Sequence, residues 1–233
     1  MSIYIGRRFP KEIIMMAVRW YVAYALSYRD IEELMQERGV NVDHSTVNRW
    51  VVKYAPEFEK RFRKKYKRPV GSSWRMDETY IKNKGKWCYL YRAVDKQGNT
   101  IDFYLSETRN EQDARDFFDK SMASSGIPEK VNIDKSGSNN AALKSINKRY
   151  KNEGSPETEP DKIEIRQCKY LNNIIEQDHR GIKRITNPIM GFGNFDSAKA
   201  TLSGIEFHRM LKKGQAVNLK SKIPWQQFYE IAA

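Results

Sequence analysis

The apolar residues of this 233-residue chain change period near residue 70. Ile14, Ala17, Val18 and Tyr21 recur at the 3.6-residue spacing of a helix with one buried face, and so do Val47, Trp50, Val51 and Tyr54. Past Pro69-Val70-Gly71-Ser72-Ser73 the pattern alternates through residues 74–81 and again at Ile101, Phe103 and Leu105. Residues 87–94 are mostly apolar, as in a strand covered on both faces. Neither pattern can serve the other element without turning its apolar groups to water. A helical N-terminal part must therefore join a mixed, layered α/β part.

Residues 10–55 read as three helices. Ser27-Tyr28-Arg29-Asp30 is a capping-box pattern for the second, Gly39 stops it, and Asp43 is a good N-cap for the third. Two short helices joined by a glycine-containing turn, the second with Ser45, Asn48, Arg49 and Lys53 outward, form a helix-turn-helix pattern. The plainer alternative is a three-helix bundle that touches no DNA. The next segment, residues 60–68, has seven cations in nine residues and no acid, among them Arg63, Lys64 and Lys65, which suits a phosphate clamp. The expected division is a helix-turn-helix domain at 1–58, a basic linker at 59–73, a catalytic-type domain at 74–214 and a tail at 215–233.

Charge and composition narrow the partners. The net charge is +13 and the pI about 9.6, which points to an anionic partner, most often nucleic acid. Residues 1–73 carry +7 and 177–233 carry +5, whereas 74–176 hold 18 bases against 17 acids. A carboxylate-rich middle between basic ends calls for a reason, either metal binding or solvated surface. No apolar stretch exceeds seven residues, so no membrane span or secretory leader is expected. Two isolated cysteines cannot form a four-thiolate zinc site, and the chain reads as cytoplasmic with reduced thiols.

In the α/β part, turn compositions at 83–86 and 95–99 join three antiparallel strands. A helix from about 110 to 121, a short strand at 131–134 and a helix from about 139 to 150 follow. Residues 151–161 have the composition of a mobile surface loop, and helices are expected over about 171–185 and 196–213. Three antiparallel strands, a helix, a strand and more helices is the order of a ribonuclease H-like fold.

Asp77 lies within the first strand and Asp134 ends the fourth. If those strands are neighbours, both carboxylates project at one spot, and Glu176 can reach it from the helix that follows the loop. Three carboxylates are hard ligands suited to Mg2+ or Mn2+. On that helix Asn172, Asn173, Glu176, His179, Arg180 and Lys183 share one face, fit to hold a metal while lying along a phosphate backbone. Glu176 and His179 also form Glu-x-x-His, but a di-iron bundle would need a second such motif, and none appears. Asp95, Asp102 and Asp178 read as spare surface carboxylates, with Asp178 the main rival to Glu176. Trp20, Trp50, Trp74 and Trp87 read as core.

The segments 75–82, 85–95 and 170–180, with 26–31 and 38–51 before them, resemble bacterial insertion-sequence transposases with an Asp-Asp-Glu site, and most of all the insertion sequence six family. The resemblance runs from about residue 9 to 214. It implies Asp77, Asp134 and Glu176 as catalytic residues and metal ligands, with two Mg2+ ions for which Mn2+ substitutes. It implies binding of element terminal repeats and target DNA, strand cleavage and transfer, and a homodimer or larger synaptic assembly. Two departures stand out: Ile133 precedes Asp134 where the family commonly has Thr, and 41 residues separate Asp134 from Glu176, longer than the family's usual spacing. Two alternatives follow: a transposase-derived DNA-binding regulator with a dead site, and a structure-specific nuclease on the same core.

Overall fold

The computed structural model describes residues 3–4, 8–152 and 162–233. The expected loop lies almost wholly outside them; its first two residues end a helix. The chain forms two compact units. One comprises residues 1–68, 83–85 and 181–233, the other 69–82 and 86–180.

The first unit is helical. α1 (Lys11–Ala23), α2 (Tyr28–Gln36) and α3 (His44–Lys65) are the expected three helices. Both bonds of the Ser27/Asp30 capping box form, at 2.7 and 3.1 Å. Asp43 caps α3 by accepting from the Thr46 amide. The division differs from the expected one in three places, the first being that residues 181–214, expected in the catalytic domain, belong to the helical unit. Residues 59–65 are the last turns of α3, not a linker, because Phe58 and Phe62 extend its buried stripe. The end of the chain is no tail: with Pro224 in its first turn, α8 (Pro224–Ala232) packs Phe228 against Phe58 and Phe207. Phe207 belongs to α7 (Phe195–Lys212), which lies so close to α1 and α3 that a Cβ on Gly204 would meet Val22 and Ala55 at 2.7 Å.

The second unit holds a five-stranded sheet of order β3-β2-β1-β4-β5. Its strands are β1 (Ser73–Asn83), β2 (Lys86–Asp95), β3 (Thr100–Ser106), β4 (Lys130–Asn132) and β5 (Glu164–Arg166). The three-residue β5 had no strand signal of its own. β2 and β3 are antiparallel, while β4 runs parallel to both β1 and β5. The core gathers Trp74, Met76, Tyr91, Ile101, Val131 and Ile133 from the sheet. Phe117 and Phe118 join it from α4 (Glu111–Ser125), and Leu143 and Ile146 from α5 (Gly137–Asn152). α6 (Asn173–Thr186) follows a short 3-10 turn at Lys169–Asn172. Asn139 of α5 bonds Glu78 while His179 of α6 bonds Asp77. Adjacent strand residues face opposite sides, so these two helices cover opposite faces of the sheet. This is the mixed α/β, ribonuclease H-like arrangement expected of the core. Among the described residues, no helix is long and apolar enough to cross a membrane.

Candidate active site

The register of β1 on β4 builds the site. Ser73, Trp74 and Arg75 pair with Lys130, Val131 and Asn132. Two residues further along each chain stand Asp77 and Asp134, on the level that a parallel register predicts. Carboxylate oxygens of Asp77, Glu78 and Asp134 all lie within 4.8 Å of one another. Like charges at that range repel, so the arrangement is stable only with compensation. Arg109 supplies part of it, donating to both oxygens of Glu78 at 3.3 Å and standing 3.6 Å from Asp134. Glu78 is buried, and burial raises its pKa above the ordinary carboxylate value against the pull of Arg109 and Asn139. Hard oxygen donors gathered this closely fit a divalent cation.

Glu176 stands outside this group of three, exposed on α6. Its neighbours on the same helical stripe define where it faces. Asn172, four residues before it, accepts from Asn132 at 2.6 Å and donates to the Met76 carbonyl at 3.4 Å. His179, three residues after it, is buried, with Nε2 3.1 Å from Asp77. Glu176 therefore stands, along the helix, between two side chains that touch Met76 and Asp77 in the middle of β1. The residues expected to share one metal- and phosphate-facing side are split: Asn172 and His179 are buried, while Asn173, Glu176, Arg180 and Lys183 are exposed.

His179 is held from behind. Arg92, fully buried on β2, lies 3.2 Å from His179 Nδ1 and donates to Asp178 at 2.6 Å. An arginine can only donate, so Nδ1 accepts and Nε2 carries the proton given to Asp77. Burial, more than the Arg92 charge, lowers the pKa of His179 and keeps it neutral. Asp178 is thus occupied by Arg92 and turned inward. Asp95 and Asp102, also expected at the surface, are buried: Asp95 accepts from the Gly71, Gln97 and Asn99 amides, and Asp102 pairs with Lys120. Of the four tryptophans read as core, Trp74 and Trp50 are buried and Trp20 is half-buried, but Trp87 is 60% exposed.

On α3, Ser45, Arg49 and Lys53 are exposed, whereas Asn48 is half-buried. Arg63 is half-buried against Glu59; Lys64 and Lys65 are exposed. The sequence reading passed over Glu78, Arg92 and Arg109. Arg92 had a signal, as a lone cation inside an apolar strand, which must be paired when buried.

A family model described as a DDE domain matches residues 71–215, and one described as the IS66 transposase family matches residues 8–128. A Staphylococcus aureus protein, the transposase for insertion sequence-like element IS431mec, is 44% identical over 215 residues, covering 90% of this chain and 88% of its own. The chain belongs to the DDE transposases of the insertion sequence six family. The Staphylococcus aureus transposase for element IS257 in transposon Tn4003 has the same identity and coverage. Among solved structures, the magnesium-bound catalytic core domain of HTLV-2 integrase matches with a TM-score of 0.44 to 0.45, at 16 to 18% identity, over about 70% of this chain and 98 to 99% of its own. This transposase is a polynucleotidyl transferase whose activity is DNA transposition.

Proposed function

We propose that the N-terminal helices bind the terminal repeats of the element, and that Asp77, Asp134 and Glu176 hold the metal at which each end is cut and its 3′-OH joined to target DNA. The observation that carries this is the β1–β4 register, which sets Asp77 and Asp134 level, with Glu176 one turn from the histidine that bonds Asp77. Glu78 is held on both oxygens by Arg109 and also by Asn139, whereas Arg109 stands further from Asp134, at 3.6 Å, which favours Asp77 and Asp134 as the pair that takes the cation.

Two Mg2+ ions, or Mn2+ in their place, would activate the attacking hydroxyl and stabilise the leaving oxygen of an in-line displacement. The chain's own residues set the geometry for that chemistry. His179 fixes the Asp77 carboxylate by giving it one hydrogen bond, which leaves the other oxygen for a ligand. Arg109 keeps the apo carboxylates together. In the reading of the repeat, Ser45, Asn48, Arg49 and Lys53 contact the groove, Arg63, Lys64 and Lys65 contact phosphates, and Arg180 and Lys183 guide the strand beside Glu176. Two ends must be held at once, so the working form is a homodimer or larger assembly, in the bacterial cytoplasm at the nucleoid. Incubating the protein with labelled element ends, plasmid and Mg2+ tests this: joined products are expected, and repeat binding with no cutting in either metal would mark a regulator instead.

A further inference from the structure

The face of β1 that carries Glu78 continues, one pleat or ~7 Å further along, to Tyr80. Tyr80 is 50% exposed and Trp87, from the start of β2, is 60% exposed. Their ring centroids lie 6.0 Å apart, and Tyr89 joins the row 5.5 Å from Tyr80. Deeper on the same face Tyr91 is covered by Phe117, so the aromatic row begins in the core and runs out into solvent. Lys82, next after Tyr80 on its row, is exposed. Arg109 ties this face to the carboxylates, because it pairs with Glu78, which shares the face with Tyr80, and with Asp134.

Large aromatic rings in water, flanked by a cation and with the neighbouring Glu78 already neutralised by Arg109, match a polyanion that carries flat rings better than an acidic or apolar protein surface. Paired bases already stack on one another, so only unpaired ones gain from a protein platform. We infer that Tyr80 and Trp87 form a stacking platform for unpaired DNA bases next to the phosphate being cut, with Lys82 holding the backbone of that strand. The inference rests on the transposase reading and adds a consequence: the duplex opens locally where it meets the active site.

The test compares full-length protein binding to element-end duplexes that are blunt or carry a short unpaired tail at the cleavage side. Wild type is expected to favour the tailed duplex by about tenfold or more. Trp87→Ala and Tyr80→Ala should each erase most of that preference and leave blunt-duplex affinity unchanged, while Trp87→Phe should keep it. An unchanged preference in the Trp87→Ala, Tyr80→Ala double variant overturns the platform. So does a loss that is equal for both duplexes and comes with a smaller sedimenting species, which would make the patch a protein interface. Joining of the ends by wild type with Mg2+ is scored in parallel. Ends joined without any preference for the tail sink the platform alone, and ends never joined sink the underlying reading.

Discussion

Buried ionisable side chains tie the site to the scaffold. Arg92 is enclosed, and its charge is tolerated because Asp178 and His179 face it. Asp178→Asn keeps an acceptor but removes the countercharge, so it should cost about 1–3 kcal/mol of stability while the folded protein still joins DNA. A lowered melting temperature with activity retained at low temperature is the expected pair of results; an inactive, fully stable variant would make Asp178 a ligand. His208 on α7 is a second case. Burial, then the charges of Lys212, Arg19 and Arg209, push its pKa down to about 3. The unfolded chain protonates this histidine below about pH 6.5 and the folded chain does not. Its stabilising contribution is therefore complete above that pH and is lost as pH falls toward 3. Between pH 6 and 5, wild type should lose about 1.4 kcal/mol per pH unit more than His208→Gln in urea titrations. Parallel curves would show that His208 is protonated in the fold.

Secondary structure was legible wherever local chemistry decides it. The Ser27 and Asp43 caps, the breaker at 69–73 and the two apolar periods placed α1, α2, the start of α3 and β1 to β3 within a few residues, because caps and periodicity act over one or two turns. The same signals put Asp77 inside β1 and Asp134 just past β4. Tertiary choices were not. Phe62 looks like part of a basic linker until Phe207 of α7 is there to cover it. β5 is too short to show a period, and Asp95 and Asp102 look like surface residues until the turn amides and Lys120 reach them. The exposure of Trp87 depends on where α4 stops covering the sheet. Contact between α7 and its neighbours gives a direct test. Gly204→Ala would drive a methyl into Val22 and Ala55 and should cost about 1–3 kcal/mol, read as a fall in melting temperature. A variant as stable as wild type would mean that the helices separate without penalty.

At the scale of the molecule, the division of the chain decides how its parts can be studied. Residues 1–68 share their unit with 181–233, and cutting there strips Phe58 and Phe62 of Phe228 and Phe207. Losing such ring contacts costs about 3–5 kcal/mol apiece in a core, comparable to the whole stability of a small domain. The isolated fragment 1–68 should therefore show no cooperative thermal transition, and repeat recognition has to be measured on the full chain. Sharp melting of that fragment would contradict the packing described here. The central claim is that Asp77, Asp134 and Glu176 act as one metal-holding unit, although Glu176 stands apart from the other two in the apo geometry. The direct measurement is strand joining from labelled element ends by Asp77→Asn, Asp134→Asn, Glu176→Gln and their combinations, with repeat binding followed alongside. Each single change should nearly abolish joining, no combination should be much worse than a single one, and binding should stay intact. Near wild-type joining by Glu176→Gln, with joining lost instead in Glu78→Gln, would move the third ligand to β1 and contradict the account.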